Sequence, residues 1–154
     1  MSRLWKDKSG SAYLWAVFII LALVMLTAVV YNGVFIYTQY QTAETELQRA
    51  ATVTVDGSLA NADVRDLVLD VPTADAKALF NTNLQGLGYE HSGADWIKHV
   101  DGKTHYTLAS LVVETDGKTI TSTAVLAIPL MWKTATLTTV RIPIQARSTV
   151  LYID

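Results

Sequence analysis

From Ala12 to Tyr37 the chain reads AYLWAVFIILALVMLTAVVYNGVFIY, with no charged residue and only Thr27, Asn32 and Gly33 breaking the apolar run. As an α-helix this stretch would extend about 39 Å, more than the roughly 30 Å hydrocarbon core of a bilayer. The apolar region of a removable secretory signal has roughly 7–15 residues, so this run is too long for one. Its exit, TAVVYNGVFIYTQYQ, offers no small-x-small cleavage site. The run therefore reads as a membrane-spanning helix that stays with the chain, and the rest of the fold must be built around it.

The flanks orient it. Arg3, Lys6 and Lys8 precede the run against a single acid, Asp7, and the next basic residue is Arg49. The positive-inside rule places the N-terminus in the cytoplasm and residues 38–154 outside. Tyr13 and Trp15 at one end, and Tyr31, Tyr37 and Tyr40 at the other, fit interfacial aromatic belts. The remaining nine basic and thirteen acidic residues all lie beyond the run. A mildly acidic outer part with scattered Lys and Arg argues against nucleic acid as a partner, which needs a concentrated basic patch. The 154 residues contain no cysteine, which excludes disulfides and thiolate metal sites.

The helix is expected to outlast the membrane. In QYQTAETELQRAA, Tyr40, Ala43, Leu47, Ala50 and Ala51 recur at three- and four-residue intervals. No proline precedes Pro72 and no glycine lies between Gly33 and Gly57. A continuous helix from about Ser11 to about Thr52 is the simplest arrangement; the alternative is a span and a separate short helix, broken at Asn32-Gly33.

The leader Lys6-Asp7-Lys8-Ser9-Gly10, then Ser11, the apolar helix and its amphipathic extension resemble the type IV pilin superfamily, and within it the small TadE-like proteins of tight-adherence pili. The resemblance implies a cytoplasmic-side cut by a prepilin peptidase between Gly10 and Ser11, with the helix retained. It also implies assembly with other pilin-like subunits, by a pilus machinery, into a surface filament. That family usually has glutamate at the fifth mature position, where this chain has Trp15. Helix assembly would then rest on van der Waals packing of Trp15, Val17, Ile20, Leu21, Val24 and Ala28; the alternative for the same stripe is plain lipid contact. An uncleaved single-pass protein with an exported partner- or ligand-binding domain is the second expectation.

Three regions follow: a leader at 1–10, a membrane and amphipathic helix at 11–56, and an exported α+β domain at 57–154. Asp56-Gly57 is a turn signal, and Val64, Leu67, Leu69 and Val71 suggest a short strand after it. PTADAKALFNTNLQGLG has helix marks: Thr73 as cap, Asp75 in the first turn, a face of Ala76, Leu79, Phe80 and Leu84, and terminal Gly86 and Gly88. WIKHV, THYTLASLVVET and TITSTAVLAIPLMW are strands joined at Asp101-Gly102 and Asp116-Gly117. ATLTTVRIPIQARSTVLYI supplies a fourth, with Val140, Ile142, Ile144, Val150 and Tyr152 on one face. Pro129 and Pro143 mark edge or kinked strands. The expected fold is α+β: an antiparallel meander of about four strands with one face on a helix.

Catalytic signals are sparse. Ser110 and Ser122 sit in no G-x-S-x-G turn, and Gly86-Leu87-Gly88 lacks the pattern and lysine of a phosphate loop. The paired acids Asp63/Asp66 and Glu44/Glu46 read as solvated faces. His91, His99 and His105 are the only metal candidates, with Glu90, Asp95 or Asp101 as a further ligand, against solvent-facing histidines as the simpler alternative. Trp96 and Trp132 read as core, or else as ligand-binding aromatics. No enzyme, no cofactor and no metal site is expected.

Overall fold

The computed structural model describes residues 8–61, 73–116, 119–131 and 137–149. The chain divides into two compact units, Met1–Phe35 and Ile36–Asp154.

Helix α1 (Lys8–Asn61) is continuous, so Asn32-Gly33 does not break it. Thr27, inside the apolar run, donates its hydroxyl to Leu23 O at 2.8 Å, which satisfies it within its own helix. Among the described residues α1 is the one helix long and apolar enough to cross a membrane. In the first unit its side chains from Ala12 to Val34 are exposed, except for half-buried Ala28 and Asn32.

The second unit is α+β. It takes in α1 from Ile36 onward, then α2 (Thr73–Gly86) and five strands: β1 (Tyr89–Ser92), β2 (Asp95–Val100), β3 (Lys103–Asp116), β4 (Thr119–Pro129) and β5 (Thr139–Thr149). The strands form one antiparallel sheet in sequence order. The meander has one strand more than expected, because YEHS pairs back on WIKHV.

Each hairpin has a local cause. Ser92 faces Asp95 across Gly93-Ala94, with Gly93 at φ +67° as the first residue of a tight turn requires. Val100 faces Lys103 across Asp101 and Gly102, both at positive φ (53° and 71°), the pattern of a type I′ turn. Asp116 pairs with Thr119, bracketing the Asp116-Gly117 signal, whose Gly117 lies outside the described residues. So do Val64, Leu67, Leu69, Val71, Asp63, Asp66, Trp132, Val150 and Tyr152.

The Asp56-Gly57 signal is overturned: α1 runs through it to Asn61. A β-carbon at position 57 would come within 2.9 Å of Leu79 Cδ2, the mobile end of an α2 side chain, so α1 passes close to α2 here within a continuous helix and not at a turn. α2 turns in Ala76, Phe80 and Leu84 as its pattern predicts, and ends where Gly88, at φ +84°, donates to Gln85 O at 2.9 Å.

The core lies between the two helices and one face of the sheet. Ala43, Leu47, Ala50 and Ala51 of α1 are buried with Phe80 and Leu84 of α2 and with Trp96, Tyr106, Leu108, Ile120, Leu126, Ile128, Ile144 and Ala146 of the strands. Each large apolar side chain removed from water there stabilises the unit by roughly 1.5–3 kcal/mol. Strand β3 keeps to this face through a bulge: Ala109 pairs with Val125 and Val112 with Thr123, so Ser110 and Leu111 share one partner position. Inward residues shift from Tyr106 and Leu108 to Val113 in consequence. Ser110, at φ 53°, occupies the left-handed position that makes this possible.

Pro143, expected on an edge or kinked strand, lies in edge strand β5 and stays in register opposite Val125. Pro129 was expected on an edge or kinked strand too, but β4 is interior, paired with both β3 and β5; the proline fits because it is the last residue of the strand, opposite Thr139.

Candidate functional site

Two features of the chain stand out. The first is the bare surface of α1 in the first unit. Gly10 and Ser11 lie in its first turns. Trp15, Val17, Ile20, Leu21 and Val24 are each more than half exposed, and Trp15 meets Phe18 edge-on with ring centres 6.1 Å apart. Side chains of this kind in water would be unfavourable by 1.5–3 kcal/mol each relative to an apolar surrounding. Such a surface is compatible with insertion in a membrane.

The second feature is polar and sits in the second unit. Glu46, on α1, sends Oε1 to Lys98 Nζ at 2.9 Å, and Oε2 accepts from Tyr89 and Tyr106 hydroxyls, both at 2.7 Å. The two hydroxyls lie 3.1 Å apart. Lys98 also donates to Leu87 O and stands 4.8 Å from the centre of the Tyr89 ring. The side chains of Lys98 and Glu46 retain only 14% and 21% of their exposure. Register explains the meeting: Tyr89 pairs with Lys98 and Lys98 with Tyr106, so β1, β2 and β3 present all three in one inward row beneath α1.

Glu46 was expected beside Glu44 on a solvated face. Glu44 is exposed, but Glu46 is half buried. No local signal separates them; only the distant strand row does. Burial pushes the Glu46 carboxyl upward, yet hydrogen bonds from Tyr89, Lys98 and Tyr106 and the Lys98 charge together hold it below its ordinary value. Burial pushes both tyrosines well above theirs; the neighbouring Tyr106 hydroxyl and then Glu46 raise Tyr89 further, while for Tyr106 the Tyr89 hydroxyl opposes and Glu46 adds to the rise. A carboxylate already held by three donors is a poor proton acceptor. The arrangement suits fastening helix to sheet.

A second fastening lies at the other edge. Gln48 Nε2 donates to Arg147 O at 2.8 Å, and Arg147 N–H donates back to Gln48 Oε1 at 3.3 Å. The carboxamide thus occupies one peptide position on the free edge of β5. An open groove of about 390 Å³ between α1 and α2 is lined by Arg49, Ala50, Val53, Thr82, Asn83, Gly86 and Leu87.

The three histidines go to different partners. His91 meets Trp96 edge-on at 4.8 Å, His99 Nε2 lies 3.7 Å from Glu90, and His105 Nδ1 lies 3.2 Å from Gln39 Oε1. Among the described residues no three His, Cys, Asp or Glu side chains gather where they could hold a metal. Trp96 is core, 4% exposed. Ser110 is exposed at the bulge, and Ser122 is buried with its hydroxyl toward Ala146 O. No family model, curated protein or solved structure matches this chain.

Proposed function

We propose that the chain is a pilin-like structural subunit of a type IV or Tad-like surface filament. In this reading it is inserted with its N-terminus in the cytoplasm, cut between Gly10 and Ser11, and assembled through α1 with sister or related subunits. The observation that carries the reading is the division of labour along α1. Its first part exposes an uninterrupted apolar surface, while residues from Gln39 onward are built into the core of an α+β head. A helix that is oily all round needs lipid or other helices about it, and a head fastened to the same helix travels with it.

Trp15 in place of an acid at the fifth position after Gly10 favours a second reading, an uncleaved single-pass anchor whose exported head binds a partner. Mass spectrometry of the protein from its native cells separates the two. A mature N-terminus at Ser11, lost on replacing Gly10, is expected for the filament subunit; an intact leader with unchanged export overturns it.

A further inference from the structure

Both helices pack on the inner face of the sheet, and among the described residues none packs on the outer one. That outer face has an order of its own. Register places one residue from each strand in a single row: Glu90 opposite Ile97, Ile97 opposite Thr107, Thr107 opposite Ala127, and Ala127 opposite Arg141. The neighbouring row runs Ala109, Val125, Pro143. The centre is small and apolar, the ends are exposed and oppositely charged, and Thr107 stands in the middle on the central strand.

Such a row is its own complement when reversed. A two-fold axis along β3 brings Arg141 of one copy over Glu90 of the other, Ala127 over Ile97, Thr107 over Thr107 and Ala109 over Ala109. We propose that the outer face of the sheet docks on the same face of a second copy about this axis. Aligned sheets pack with a rotation of about 30°, which offsets the outer strands by roughly 5 Å, a distance the long arginine side chain spans. Glu90 also lies near His99 of its own chain, but its side chain keeps 75% of its exposure and is open to a second cation. Asp95, beside the axis, is already turned to its own chain, accepting the Ser110 N–H at 3.3 Å.

The area sets how strong this contact is. Five strands at about 4.8 Å spacing and three rows of residues cover roughly 400–500 Å² per copy, about half the 800 Å² per partner of a stable soluble complex. The contact is therefore weak between free molecules and becomes populated when the apolar helix concentrates copies in one membrane. It holds for a cleaved filament subunit and for an uncleaved anchor alike, so filament formation is not its test.

The test uses the full chain in lipid vesicles. Because the chain has no cysteine, Thr107→Cys introduces a single thiol, and across sheets stacked about 10 Å apart two such thiols meet closely enough for oxidative disulfide cross-linking. Thr107→Cys is expected to give cross-linked dimer. Gln145→Cys, on the same face but about 10 Å off the axis, is expected to give several-fold less. In the Thr107→Cys background, Arg141→Glu or Glu90→Arg alone should lower the dimer about five- to tenfold, and the two together should restore it. Arg141→Gln, which leaves Glu90 and His99 undisturbed, should lower it about threefold. Absent cross-linking, equal yield at Thr107 and Gln145, or a double swap that fails to rescue while the urea unfolding midpoint stays that of the parent would each overturn the proposal.

Discussion

Tyr106 donates its hydroxyl to Glu46 across 2.7 Å, joining β3 to a helix sixty positions earlier in the chain. Removing the acceptor strands Lys98 and two hydroxyls in a half-buried place. Glu46→Ala is expected to lower the unfolding free energy of the head by about 2–4 kcal/mol, and Tyr106→Phe by about 1 kcal/mol. Urea unfolding of the detergent-solubilised chain, followed by tryptophan fluorescence, measures both. An Ala variant as stable as the parent would show that the cluster fastens nothing.

The same cluster fixes a pH profile. The folded Glu46 carboxyl lies below its ordinary 4.5, so its contribution is complete above that value and is lost as pH falls through the lower folded one. Tyr89 and Tyr106 lie above their ordinary 10.0 when folded, so their contribution is complete below that value and is lost as pH rises beyond it. The urea midpoint is expected to be flat between about pH 5 and about pH 10 as far as this cluster governs it. Glu46→Gln should shrink the acid limb, which the same titration on the variant would reveal.

Ser110 carries a β-carbon at φ 53°, where L-residues are unfavourable by about 1–2 kcal/mol. Ser110→Gly is expected to stabilise the head by about 0.5 kcal/mol once the greater freedom of glycine in the unfolded chain is subtracted. Ser110→Val should destabilise it by more than 1 kcal/mol, since branching at Cβ makes this conformation worse. The hydrogen bond to Asp95 comes from the backbone and survives both changes.

Gln48 is the partner of both peptide groups of Arg147. Gln48→Ala should cost about 1 kcal/mol and hasten exchange of the Arg147 amide hydrogen, read by mass spectrometry or NMR. Gln48→Glu keeps the acceptor but loses the donor, and should be at least as damaging.

Leu21→Asp puts a charge within the apolar run, where insertion is disfavoured by about 2.5–3.5 kcal/mol. The variant should leave the carbonate-resistant membrane fraction in which the parent is expected. Equal recovery of both in the soluble fraction would remove the membrane from the account.

How far the sequence revealed this molecule depended on the range of the forces involved. The apolar run, the α2 face and the Asp101-Gly102 turn are decided within a few residues, and each is legible. Strand β1 is four residues long and mostly polar, too short to show alternation beside its loop. Gly57 carries a turn signal, but α1 runs through it, and its neighbour Leu79 lies more than twenty positions on. Glu46 looks like Glu44 until register lines up Tyr89, Lys98 and Tyr106 beneath it. Periodicity does not carry information of that kind.

The bulge at Ser110 also makes β3 a strand with two reading frames. Deleting one residue between Ala109 and Val112 would leave a regular ladder with Val112 still opposite Thr123 and Val113 still opposite Ser122, so every later side chain would keep its face. One residue of length is thus negotiable at the bulge itself, whereas a single omission between the bulge and Asp116 would turn the residues beyond it to the opposite face.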